Sequence, residues 1–414
     1  MKAVILLFSS LLAAQTPTTV KLQVSGLPPG QSPLPTITVT LPSGKNQTIP
    51  SITDFTSNEP GRYRVNGEPF RLPGPIVDRV LEAPPIDRLI KPGESVALQL
   101  TYRQRPGSGM LWAATARIDA DTDDFSQGTI RALDDNQLQR GGFTKPSSQM
   151  LSGPRLAGGI AAPDGSFYFV DGWTANALMR LPPTSLQSTG TAKASRVPNT
   201  EAHAYGLSPA GDLWSLHDRT LKHLSSASLT PSKPIVELTI RDEDDALPAT
   251  HFLFTSTGDL LLYGPGHVAR IPVSKLSPGQ REIGKGDAAA ILTFHSGTIG
   301  HGALDETGNL WLPDENSEVI QLPAAALENG GNTRGERFSV PQSASAIRVD
   351  NQGGVWCLIR YTGDLFYRAP GASAFAAKGS FGHGFDEHTQ LTLHPPPAWS
   401  PLAAAPAFPK RLTP

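Results

Sequence analysis

GALDETGNLWLPDENSEVIQL (302–322) and its echo GGIAAPDGSFYFVDGWTANALMRL (158–181) decide the fold. Each reads as a short strand, a turn centred on glycine, an apolar strand carrying an aromatic, a polar turn and another apolar strand. The phrase of Gly plus apolar strand recurs as GMLWAAT (109–115), GSFYFVD (165–171), GDLWSLH (211–217), GDLLLYG (258–264), GNLWLPD (308–314) and GGVWCLI (353–359). The spacings are 56, 46, 47, 50 and 45 residues, about 49 on average. A fixed period of this length marks a repeat architecture in which no unit buries its apolar faces alone.

Upstream of five of the glycines lies another strand: GGIAAPD, YGLSPA, FLFTST, GALDET and IRVDNQ. Downstream comes a third, ALMRLPPTSL (177–186), LKHLSSASL (221–229), VARIPVSKL (268–276) and VIQLPAAAL (319–327), and in some units a fourth, PIVELTI (234–240) and AAILTF (289–294). Four short strands per unit predict a four-stranded antiparallel blade, and the chain is expected to be an all-β protein built on a β-propeller. The glycine sits where a hairpin needs a positive φ. Trp112, Trp214, Trp311 and Trp356 are expected in the core between blades.

The first unit, at 109–115, has no inner strand before it, whereas HTQLTLHPPP (388–397) is a strand without a unit. Pairing the two would close the ring and remove an exposed edge. Six units fill 107–397, so six blades are expected; seven is the alternative, since 134–156 could conceal another strand pair.

Ahead of the repeats, residues 15–106 carry strand patterns in TVKLQVSGL (19–27), PTITVTLP (35–42), GRYRVNGE (61–68) and GESVALQLTY (93–102), separated by Pro/Gly turns. Alternation such as ITVT marks half-buried strands, and a small β-sandwich is expected. Residues 1–14 are expected to be a signal peptide: Met1-Lys2, the apolar run AVILLFSSLLAA (3–14) and a small-residue exit. Gln15 stands where a lipoprotein would need Cys, and residues 398–414 form a C-terminal tail.

Composition narrows the function. Lys+Arg 35 against Asp+Glu 37 leaves a formal charge of −2, which gives no field for nucleic acid. One cysteine, Cys357, excludes an internal disulfide and a Cys-based metal cage. The apolar run at 3–14 is too short to span a bilayer and nothing later matches it. No P-loop, GxGxxG after a strand, HExxH or GxSxG is present. An exported monomer, periplasmic or extracellular, is expected.

The repeat resembles secreted bacterial β-propellers of the NHL and streptogramin-lyase-like kind, with 158–181 and 302–322 as its best copies. The patterning of 15–106 resembles immunoglobulin-like modules placed ahead of larger domains. The first resemblance implies a propeller used for binding, for scaffolding, or for lyase or lactonase chemistry, where the lyases use histidines and a glutamate near a metal. No glutamate matches here: Glu201 lies two residues before His203, and Glu306 lies past its strand.

Aligned on the hairpin glycine, His251 and His301 fall at one level, seven residues before Gly258 and Gly308. His203 is one position off, His388 begins the closing strand, and Arg155 and Ser345 precede the second and sixth inner strands. His203, His251, His301, His388 and Arg155 are therefore the candidate ligand-binding residues at a channel mouth, able to meet a divalent metal or an anion. The competing view is a solvated rim of scattered polar residues. Asp171, Trp173 and Asn176, and the acidic runs DADTDD (119–124) and RDEDDAL (241–247), are weaker candidates, best explained as turns and solvated loops. The expected function is a binding or interaction protein for a protein, glycan or small-molecule partner. A metal-assisted lyase or lactonase is the alternative, and no catalytic residue is assigned.

Overall fold

The computed structural model describes residues 17–411 apart from 31–33, 52, 116–127, 145, 153–155, 172–176, 188–189, 192–193, 226–233, 242–245, 298, 386–388 and 406–407. The expected signal peptide, DADTDD, most of RDEDDAL, Trp173, Asn176, Arg155 and His388 lie outside the described residues. The chain is all-β and divides into two compact units: residues 1–70, 81–103 and 412–414, and residues 71–80 and 104–411.

In the first unit, Thr36–Thr40 pairs with Asn46–Pro50 on one side and Gly61–Gly67 on the other, and Ile86–Ile90 completes a four-stranded antiparallel sheet. A second sheet joins Phe55–Ser57, Thr19–Ser25 and Ser95–Thr101, the last two running parallel. Burial alternates along Thr19–Ser25 and Gly61–Gly67 as the apolar/polar pattern requires. Val20, Leu22, Ile37, Val39, Tyr63, Val65, Leu98 and Leu100 form the interior.

The second unit is a β-propeller, and its described residues form six successive sheets of mainly antiparallel strands. Met110–Thr115, Gly128–Asp134 and Ser148–Ser152 belong to the first. Leu156–Ala161, Phe167–Asp171, Ala177–Leu181 and Ser195–Glu201 make the second, and Ala204–Leu207, Leu213–His217, Thr220–Ser225 and Val236–Ile240 the third. The fourth comprises His251–Phe254, Leu260–Gly264, His267–Ile271 and Ala290–Phe294; the fifth Ala303–Leu304, Leu310–Asp314, Glu318–Leu322 and Glu336–Ser339; the sixth Ala344–Val349, Val355–Ile359, Asp364–Arg368 and Ala376–Ser380. Among the described residues, the segment 134–156, where a hidden strand pair was the alternative, holds the helix Asp135–Arg140, the strand Ser148–Ser152 and the start of Leu156–Ala161.

Leu391–His394 pairs antiparallel with Met110–Thr115, Leu111 facing Leu393 and Trp112 facing Thr392. The end of the chain thus supplies the inner strand that the first sheet lacks. Six apolar clusters each bridge one pair of consecutive sheets. The one that closes the circuit packs Trp356, Leu358 and Leu365 of the sixth sheet against Leu111, Leu133, Leu391 and Leu393 of the first. Trp112, Trp214 and Trp311 are likewise buried between sheets, where truncation of such a side chain costs about 3–5 kcal/mol. The hairpin glycines Gly165, Gly211, Gly258, Gly308 and Gly353 have φ between 79° and 88°, a region closed to most side chains.

Three features lay beyond the sequence. Outer edges are laced: Gly190–Thr191, Glu282–Ile283 and Gly331–Thr333 each reach back as a parallel fifth strand on the preceding sheet, covering its outer edge. The segment 71–80, assigned from sequence to the sandwich, packs Ile76 and Val77 into the closing cluster. The expected tail is anchored too: Ala398 N donates to Asn351 Oδ1 and Trp399 Nε1 to the Asp350 carbonyl, both at 2.8 Å.

Candidate functional site

The inner strand of each sheet contributes to one cavity of about 380 Å³ on the axis. Ile160, Tyr205, Phe254, Leu304, Arg348 and Thr392, one from each of the six sheets, line it. Pro396, Pro397 and residues 399–402 of the anchored segment line it as well.

Two of the expected histidines meet. His251 and His301, both buried, pack edge to face with ring centroids 4.5 Å apart, and His251 also stacks on Tyr263 at 5.4 Å. Equivalent positions on neighbouring inner strands produce this contact, because adjacent sheets repeat with a common register. Gln390 Nε2 donates to His301 Nδ1 at 2.9 Å, which leaves the imidazole proton on Nε2. Ser345, placed at the same level from sequence, accepts the His301 backbone N–H on its carbonyl at 3.1 Å.

His203 does not join them. Its Nδ1 accepts the backbone N–H of Asp218 at 3.1 Å and its Nε2 donates to the Ala249 carbonyl at 3.3 Å. A neutral imidazole has one donor and one acceptor, and both are engaged with backbone here. The one-residue offset in the alignment turns this ring away from the shared level. Among the described residues, no group of three His, Cys, Asp or Glu side chains is arranged to hold a metal ion.

The residue missed from sequence is Arg348. It lies on the inner strand Ala344–Val349, lines the cavity, and donates from Nε to the Leu391 carbonyl of the closing strand at 2.6 Å. Burial pushes its guanidinium down to about 10, with Tyr263 acting in the opposite sense. Tyr263 accepts the Gly302 N–H on its hydroxyl at 3.0 Å, so the hydroxyl proton remains to be donated. The signal was present: among the inner strands quoted above, IRVDNQ alone places a cation among apolar residues.

The other charges around the cavity are accounted for. Arg270 pairs with Asp259 at 2.7 Å. Burial opposes the charge of Asp305, but hydrogen bonds from Trp311, Thr307 and Asn309 outweigh it and hold the carboxyl below its usual range. Glu306 and Glu328 are exposed.

No protein-family profile and no curated protein sequence matches this chain. Solved structures do. A protein of unknown function from Bacteroides caccae aligns over 69% of this chain and 99% of its own at 10% identity, with a TM-score of 0.46. A streptogramin B lyase aligns over 66% and 84% at 13% identity, TM-score 0.40. The virginiamycin B lyase from Staphylococcus aureus aligns over 54% and 69% at 13% identity, TM-score 0.36. Likeness at this level transfers no residue role to this chain.

Proposed function

We propose that the chain is an exported binding protein: a six-bladed β-propeller spanning 107–397, closed by its C-terminal strand, that holds a small ligand in its central channel. The observation that carries this reading is the cavity of about 380 Å³ lined from every sheet, a size typical of metabolite sites. Residues 15–106 are its immunoglobulin-like module. Support for that comes from two sheets with alternating burial and from Tyr63, whose hydroxyl donates to the Glu59 carbonyl four residues upstream, as a tyrosine corner does. Export rests on the apolar run at 3–14, and its check is mature protein that begins at Gln15.

The test of the channel is a thermal-shift screen of small molecules against wild type and Leu207→Trp, which fills the cavity. Ligands that raise the melting temperature of wild type alone support the reading. A screen whose hits act equally on both proteins, or yields none, overturns it.

The lyase or lactonase reading retains one favourable observation, the His251–His301 contact. It requires metal to co-purify and to be lost in His251→Ala and His301→Ala; metal-free wild-type protein ends it.

A further inference from the structure

Arg348 differs from the buried arginines Arg71 and Arg131 in what its terminal nitrogens meet. Arg71 pairs with Asp78 at 2.8 Å, and one terminal nitrogen of Arg131 donates to the carbonyls of Phe381, Gly382 and His383. Arg348 makes a single hydrogen bond, through Nε, and neither terminal nitrogen donates to any described residue. No carboxylate among the described residues pairs with it. Arg348 is part-buried, and a cation drawn partly out of water with no counter-charge among the described residues carries a desolvation cost. Its one hydrogen bond ties the closing strand through Nε and leaves both terminal nitrogens to the cavity, at a level where the other sheets place Ile160, Gly206, Leu253, Ala303 and Thr392.

The cavity explains the arrangement. The outer edge of the guanidinium is a planar fork that matches two carboxylate oxygens. Thr392 and Tyr263 line the same cavity and carry hydroxyls able to donate, and Gln390 adds an amide. Among the described residues, Arg270 is the only other arginine lining it, and Asp259 already neutralises it. One unpaired positive charge therefore calls for one negative charge. A doubly charged phosphate or sulfate would leave the excess desolvated, whereas the apolar wall of Ile160, Leu253 and Leu393 suits an organic body.

We propose that the channel holds a small organic monocarboxylate, its two oxygens bound by the terminal nitrogens of Arg348, and that Arg348 sets this specificity. The inference rests on the channel being the ligand site.

The experiment compares benzoate with its neutral isostere benzamide, by calorimetric titration and thermal shift, on the full-length mature protein and on Arg348→Met and Arg348→Lys. The expected result is benzoate binding to wild type, with benzamide at least about tenfold weaker. Arg348→Met abolishes the preference with only a small change in melting temperature, because the lost bond to the Leu391 carbonyl offsets the relief of the uncompensated charge, and Arg348→Lys retains part of the preference. Benzamide binding as well as benzoate overturns the carboxylate inference but leaves the channel a ligand site. Benzoate that fails to bind wild type at millimolar concentration, or that binds Arg348→Met unchanged, also overturns it. A large loss of melting temperature in Arg348→Met would assign the residue a structural role and overturn it as well.

Discussion

Trp356 donates its indole N–H to the Asp350 carboxylate at 2.9 Å, across the hairpin that turns at Gly353. Trp311 repeats the bond to Asp305 at the same distance, with the same residue spacing. In each case the carboxylate also accepts backbone N–H groups of the turn, so one Asp ties the hairpin to the core between sheets.

The third sheet carries Ser208 at this position, and the buried Trp214 Nε1 has no partner among the described residues. A buried donor left unsatisfied costs about 1–3 kcal/mol. Ser208→Asn, which supplies a neutral acceptor beside Asp212, is expected to raise stability by about 1 kcal/mol. Urea unfolding with an unchanged or lower midpoint would contradict it.

Closure by Leu391–His394 makes the end of the chain essential. Leu391 is fully buried between the first and sixth sheets. Leu391→Ala is expected to cost about 2–5 kcal/mol, read as a shift of the urea midpoint. A chain ending at 388 exposes the edge of Met110–Thr115 and is expected to aggregate, measured by light scattering. A monodisperse, stable truncation would refute the closure.

His394 sets an acid sensitivity. It is buried, with neither ring nitrogen partnered among the described residues, and burial with Arg105 and Arg71 nearby pushes its imidazole down to about 3. In the unfolded chain the ring takes its proton near pH 6.5, whereas the folded ring stays neutral to about pH 3. The unfolded state binds more protons across that interval, so this contribution is full above pH 6.5 and falls as the pH drops through it. Between pH 7 and 5 the loss is about 2 kcal/mol. His394→Leu is expected to remove that part of the slope, and identical acid limbs in the two proteins would exclude His394 as the cause.

Cys357 is buried between the fifth and sixth sheets, and burial pushes its thiol pKa upward. A disulfide reagent is expected to label it only on unfolding, at the rate of global opening. Rapid labelling of the native protein would show that this part of the ring opens on its own.

How much was legible follows from which interactions are local. The period of about 49 residues, the hairpin glycines and the apolar alternation are properties of short segments, and backbone sterics and burial act on such segments directly. They determined the strands, their grouping into sheets and the orphan at 391–394, and so the pairing of that strand with Met110–Thr115. They also placed His251 and His301 on one level, because equal offsets from equal turns become equal heights.

The tertiary structure decided the rest. A single-residue offset sent His203 to the backbone of Asp218 and Ala249. Ile76, Val77 and Trp399 found their partners far along the chain. Arg348 acquired meaning only when six inner strands set it on a shared cavity with no carboxylate paired to it among the described residues. Sequence spacing carries registers and periods; whether a charge has a counter-charge depends on what long-range packing sets beside it, and desolvation then fixes how much that matters.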